Sequence, residues 1–185
     1  FSWEKTALET INVYTSSELV KAAFEKESGR QNFTPQDLAS WIYRPTNSEA
    51  KIYGRFGKGI LIDFGSMKVE WKYDWEKKEY MRYENDVLQK DESGAVMVAK
   101  NVALQITAME ILDEVGRKKI KTVGSGQAVV LTYGLAIEGR WQKKDSASRT
   151  RFFGPDTKEV VFDPGATWIE VIGNTYDYEI TAGNQ

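Results

Sequence analysis

No cysteine and no histidine occurs anywhere in the 185 residues. That double absence removes thiolate nucleophiles, imidazole bases, Ser-His-Asp triads and Cys/His zinc sites from the chain. Any catalysis would fall to carboxylates, lysine, tyrosine, serine or a hard cation bound through oxygen. Without cysteine there is no disulfide, so the redox compartment stays open. No run of 18 apolar residues exists either, and no stretch is expected to span a membrane as a helix. Neither charge dominates: 25 Lys and Arg stand against 27 Asp and Glu, a net −2. Domains that displace counterions from phosphates are basic, so nucleic acid is not an expected partner. The chain opens at Phe1 with neither an initiator Met nor a signal peptide, as expected of a processed piece of a longer protein.

What is present reads as a globular domain, with 41% hydrophobic and 28% charged residues. Thr15-Ser16-Ser17-Glu18 has the form of a capping box, in which Thr15 accepts from the Glu18 amide. Leu19, Val20, Ala23 and Phe24 follow at helical spacing and Gly29 supplies a stop, which predicts a helix over 16–28. Thr34-Pro35 predicts a second helix start, with Leu38, Trp41 and Ile42 as its stripe and Pro45 as its end. Residues 44–57 read as a connector.

From Gly59 the period becomes two. Ile60, Ile62 and Phe64 alternate, then Val69, Trp71 and Tyr73, with Gly, Asp and Pro punctuating short apolar runs to the C-terminus. The expected fold is α+β and mainly β: two short N-terminal helices packed on a curled antiparallel sheet of about eight strands, barrel-like or a sandwich. The expected division is a helical segment over 1–57 and a β domain over 58–185.

The most suggestive chemistry lies between Lys68 and Tyr83, where aromatic residues interleave with Lys and Arg. Trp75 and Tyr83, with Lys72 and Arg82, would offer stacking faces and cations to a sugar or base. The plainer reading is a half-buried hairpin whose aromatic pairs stabilise it by roughly 0.2–1 kcal/mol each. Trp168 is read chiefly as core, and secondarily as a ligand-facing ring. Gly124-Ser125-Gly126 suggests an anion nest less well than a tight turn or bulge. Ser48-Glu49-Ala50-Lys51 has acyltransferase spacing but no companion motif. Asp86, Asp91 and Glu92 lack the calcium-loop spacing, and Asn32-Phe33-Thr34 is a sequon whose Thr34 already serves as an N-cap. No catalytic residue, metal site or cofactor is assigned.

Several short motifs occur in a telling order: Tyr80-Met81-Arg82, Asp91-Glu92-Ser93-Gly94, Lys100-Asn101-Val102, Gly124-Ser125-Gly126, Ile137-Glu138-Gly139-Arg140-Trp141 and Pro164-Gly165-Ala166-Thr167-Trp168-Ile169-Glu170-Val171. Together, over about residues 60–172, they resemble the C-terminal domain of the YerB-like bacterial lipoproteins, a family of unknown function. Residues 10–45, with Asn12-Val13-Tyr14-Thr15-Ser16, resemble the segment preceding that domain. The resemblance implies an extracytoplasmic protein tethered through a lipidated N-terminal Cys, a residue not present among these 185. The family's larger N-terminal region is not recognisable here. Its pattern also implies two histidines, where this chain has Ile11 and either Leu88 or Gln89. No catalytic residues carry over.

Three functions are therefore expected, in order. The first is a non-catalytic module that binds a bacterial cell-envelope component through Trp75, Tyr83, Arg82, Lys72 and Trp168. The second is a protein–protein adaptor with an exposed patch at Phe152-Phe153 or residues 160–162. The third is a carboxylate hydrolase of wall polysaccharide, which requires two acids about 5–10 Å apart across a cleft.

Overall fold

The computed structural model describes residues 16–28, 40–45 and 54–181. The chain divides into two units, residues 1–37 and 38–185. In the first lies helix α1, Ser17–Ser28. Its cap is Ser16, whose Oγ accepts from the Leu19 amide at 3.3 Å. The predicted Thr15 cap and Gly29 stop lie outside the described residues.

The second unit is built of strands. They are β1 (Ile42–Tyr43), β2 (Arg55–Phe56), β3 (Gly59–Asp63), β4 (Lys68–Asp74), β5 (Glu79–Glu84), β6 (Val87–Leu88), β7 (Val98–Ala99) and β8 (Asn101–Thr107). After these come β9 (Met109–Ile111), β10 (Lys118–Ile120), β11 (Gly124–Thr132), β12 (Leu135–Lys143), β13 (Arg151–Phe153), β14 (Val161–Phe162), β15 (Thr167–Gly173) and β16 (Asp177–Thr181). One six-stranded sheet runs β13-β12-β11-β8-β15 with β2 beside β12; the other runs β16-β3-β4-β5-β6 with β7 beside β5. Among the described residues neither sheet closes into a barrel. The mainly β class is as expected.

Three expectations are corrected. Among the described residues, sixteen strands replace about eight, because many are only two or three residues long. Pairing is not uniformly antiparallel: β15 lies parallel to β8, from Thr167 opposite Asn101 to Gly173 opposite Thr107, and β1 lies parallel to β14. The second helix is absent where it is described, since Trp41 is not helical and Ile42 begins β1. Its Thr34-Pro35 start lies outside the described residues. Tertiary contacts explain the loss: the Trp41 indole donates to the Thr150 carbonyl at 2.8 Å and packs 5.1 Å from the Phe162 ring. Local helical spacing yields to such packing.

The core has two layers on either side of β8, whose seven residues are all buried. Val102, Leu104 and Ile106 face the second sheet and meet Ile60, Ile62, Val69, Trp71 and Tyr80. Ala103 faces the other way, toward Val130, Trp141, Phe152, Val160 and Phe162. Phe152, Val160 and Phe162 are thus core, and the patch expected at Phe152-Phe153 and 160–162 does not exist as an exposed surface. Gly124-Ser125-Gly126 is neither nest nor turn but the start of β11.

Candidate functional site

At one end of the two sheets, three turns converge on a polar recess at Arg44 and Asp163, whose side chains are each about a seventh exposed. The first joins β11 to β12 through only two residues, Tyr133 and Gly134, because Thr132 pairs directly with Leu135. Both adopt left-handed backbone, φ 58° and 70°, the geometry of the tightest hairpin turns. Gly134 adopts it without penalty; Tyr133 does so against the preference of an L side chain. What Tyr133 gains is a partner: the Arg44 guanidinium lies 3.5 Å from the centre of its ring. The Gly134 amide donates to the Tyr80 hydroxyl at 3.0 Å. A Cβ at Gly134 would sit 2.7 Å from the Trp75 ring and 3.0 Å from Tyr73.

The second turn, Asp163-Pro164-Gly165, joins β14 to β15 and is held by Asn101. Its Nδ2 donates to the Asp163 carbonyl at 2.8 Å and to Thr167 Oγ1 at 3.1 Å. Its Oδ1 accepts from the Asp163 amide and from Thr132 Oγ1, both at 2.8 Å. A wholly buried amide with every capacity used is a rigid fixture, and it sets Asp163 opposite Arg44. The third turn, between β4 and β5, is tied down by Lys100, whose Nζ donates to the carbonyls of Lys77 and Lys78 at 3.0 Å.

The electrostatics set this recess apart. Arg44 and Asp163 approach only to 3.6 Å, too far for a hydrogen bond, with side chains 15% and 13% exposed. Arg44 Nε is buried with no hydrogen-bond partner. Burial pushes the Asp163 carboxyl above its ordinary range despite the cations Arg44, Lys100 and Lys78. Burial pushes the Tyr73 hydroxyl up to about 12, and the Asp163 charge adds to that against Arg44. Because the folded Asp163 holds its proton more tightly than the unfolded one, its contribution to stability is present in acid. It is lost as pH rises from the ordinary aspartate range through the raised value. Ionisation of Asp163 therefore works against the fold.

The five residues proposed from sequence fall in three places. Trp75 borders the recess: its indole is 50% exposed and stands edge-on to Tyr73, centroids 4.8 Å apart. Lys72 and Tyr83 lie on the outer face of the second sheet, the ammonium 4.5 Å from the ring centre and 2.9 Å from Glu70. Arg82 and Trp168 face inward beside Trp71. Glu170 accepts from the Trp71 indole at 3.0 Å and from Arg82 at 3.5 Å, and Arg82 also bonds Glu84 at 3.2 Å. The Trp168 ring packs 5.3 Å from Trp71, in line with its core reading.

Asp91 does not reach for a cation: its Oδ1 accepts from the Ser93 amide and hydroxyl and from the Ala95 amide. Among the described residues no three acidic side chains are grouped to hold a metal ion, and no helix is long and apolar enough to cross a membrane. Ser48, Lys51 and the Asn32 sequon lie outside the described residues. Sequence reading missed Arg44, Tyr133 and Asp163. A signal existed for two of them: Tyr133-Gly134 interrupts an apolar run as a two-residue hairpin turn does, and Asp163 opens Pro164-Gly165. Arg44 carried none.

No curated protein matches this chain. The crystal structure of the YerB protein from Bacillus subtilis has a similar fold, with a TM-score of 0.65 and 23% identity. The similarity covers 89% of this chain and 54% of that one, so the chain spans about half the length of the YerB protein. Residues 60–169 match the family described as "Protein of unknown function (DUF3048) C-terminal domain". They span more than half of the chain and bear out the resemblance carried by the motifs, so the chain belongs to that family.

Proposed function

We propose that this domain is a non-catalytic binding module for an extracytoplasmic component of the bacterial cell envelope, engaged at the end of the sheets marked by Trp75. The observation that carries the reading is the Trp75 indole. It is half exposed, yet fixed by Tyr73 on one side and the Gly134 turn on the other. An apolar ring already immobilised loses little entropy when a sugar face settles on it. The charges that act on Asp163 are the cations Arg44, Lys78 and Lys100, which is not the environment of a paired-acid hydrolase. The family resemblance supports the location outside the cytoplasmic membrane.

Cosedimentation with isolated bacterial cell walls tests the module, with the supernatant assayed for released sugar. The wild-type chain is expected to pellet and to release nothing. Trp75→Ala is expected to weaken pelleting about tenfold, the equivalent of about 1.4 kcal/mol. Its unfolding free energy is expected to change by no more than about 0.5 kcal/mol, since the ring is at the surface. A chain that stays in solution defeats the module, and one that pellets and liberates sugar restores the hydrolase.

One observation favours the adaptor as a second reading. The hairpin of β9 and β10 carries Ile111, Leu112 and Val115 at 69%, 58% and 85% exposure. An apolar tip of that kind marks an interaction surface when its residues are contiguous. A partner whose complex with the purified wild-type chain re-forms from isolated components, and fails with Ile111, Leu112 and Val115 all changed to serine, would establish this reading. Equal binding by the triple variant would remove it.

A further inference from the structure

We infer that the recess between Arg44 and Asp163 is the recognition element of this module and takes neighbouring hydroxyls of a neutral glycan unit. The inference rests on the binding-module reading and names what the Trp75 end binds. Its starting point is a pair that a purely structural role does not explain. Structural Arg–carboxylate pairs close to hydrogen-bond distance, about 2.7–2.9 Å, and are often doubly bonded. Here the closest approach is 3.6 Å, Arg44 Nε has no partner, and the guanidinium lies flat on a tyrosine ring instead. The unusual backbone at Tyr133 serves that arrangement, since it places the ring beneath Arg44. Such departures from local preference concentrate at sites of function.

The chemistry of the two groups selects the ligand. Ionised Asp163 only accepts and Arg44 only donates. A group that satisfies both must do each in turn, and a hydroxyl does: it donates to the carboxylate while accepting from the guanidinium. An anion would be repelled by Asp163 and a cation by Arg44. Two hydroxyls on adjacent carbons present this alternation twice, and the ring that bears them has an apolar C–H face. Trp75, half exposed and edge-on to Tyr73, is there to receive such a face. Each of Arg44 and Asp163 keeps about a seventh of its side chain open, enough for a hydroxyl edge and not for a whole sugar.

Asp163→Asn and Arg44→Gln test the inference in the wall cosedimentation assay, beside the wild type and with thermal unfolding of each chain. Both variants are expected to bind at least roughly tenfold more weakly, the loss of one charge-assisted hydrogen bond. Asp163→Asn is expected to be no less stable than the wild type at a pH where Asp163 is ionised, because ionisation opposes the fold, with any advantage vanishing in acid. Wild-type pelleting with undiminished pelleting of both variants overturns the inference and leaves the module standing. Failure of the wild type to pellet overturns both. Should Arg44→Gln unfold, nuclear magnetic resonance of the wild type titrated with soluble fragments of enzymatically digested wall decides the matter. Shifts of the Arg44 Nε–H and the Gly134 amide together with the Trp75 indole N–H support the recess; a shift of Trp75 alone overturns it. A neutral fragment is expected to displace the wall, and a carboxylated fragment of the same size displacing it equally would also overturn the inference.

Discussion

Replacing Asn101 with alanine is expected to lower the free energy of unfolding by about 3–5 kcal/mol in urea denaturation, and to abolish wall binding along with it. The magnitude follows from what the truncation strands. Asn101 is fully buried, and so is its partner Thr132. Alanine leaves the Asp163 amide and carbonyl and the Thr132 and Thr167 hydroxyls without the partner they have now. A buried polar group without a partner costs about 1–3 kcal/mol, and at least two of these four have no route to water. The cavity adds to the cost, because β8 is covered on both faces and has little room to collapse. The effect on binding has a separate cause: Asn101 holds both main-chain groups of Asp163, so the carboxylate loses its fixed position opposite Arg44. Asn101→Asp keeps acceptors for Thr132 and the Asp163 amide but sets a carboxylate oxygen against the Asp163 carbonyl and buries an unpaired charge, so it is expected to cost at least as much as alanine. A clearly smaller cost would mean that the hydrogen bonds donated by Nδ2 carry little of the effect.

The parts of this fold that were legible in the sequence are those in which one strand buries one face. In β4 the alternation of Val69, Trp71 and Tyr73 with Lys68, Glu70 and Lys72 is also the alternation of buried and open side chains. Strand β8 breaks that code: Asn101 and Gln105 read as polar positions, yet both lie in the core. Polar residues buried through their own hydrogen bonds leave no periodic trace. The stripe that ends at Trp41 and Ile42 misled there for the opposite reason. Its spacing fits a helix, but Trp41 finds Phe162 and the Thr150 carbonyl, partners far along the chain that no local pattern announces.

The site divides in the same way. The exposure of Trp75 was legible because an aromatic residue in a charged turn has no core to enter. Lys72, Tyr83 and Arg82 shared its neighbourhood in sequence, but alternation sends Tyr83 and Arg82 to opposite faces of β5, and only the pairing register fixes which. Arg44 and Asp163 meet because β1 lies along β14, a parallel contact between short strands from opposite ends of the chain.

Gly126→Ala is expected to destabilise the domain by about 3–4 kcal/mol, the upper part of the range for overpacking with a lost buried hydrogen bond added. Nothing in the backbone angles demands glycine there; space does. A Cβ at this position would lie 2.5 Å from both the Ile106 carbonyl oxygen and the Trp141 Nε1. Those two atoms are bonded to each other at 2.7 Å, the indole of β12 reaching across β11 to an acceptor on β8. The pairing of β11 with β8 ends at Ala128 opposite Gln105, so the Ile106 carbonyl lies beyond the ladder and Trp141 supplies its donor. Gly126 is thus the gap through which one buried side chain completes the hydrogen bonding of the central strand. A double-mutant cycle with Trp141→Phe measures this directly. Phenylalanine removes the Nε1 atom and the bond together, leaving only the clash with the Ile106 carbonyl. Gly126→Ala should then cost about 1 kcal/mol less than in the wild type, the value of a typical net hydrogen bond. Strict additivity of the two substitutions would show that Gly126 and Trp141 act independently, and the account of Gly126 as a passage for the indole would fail.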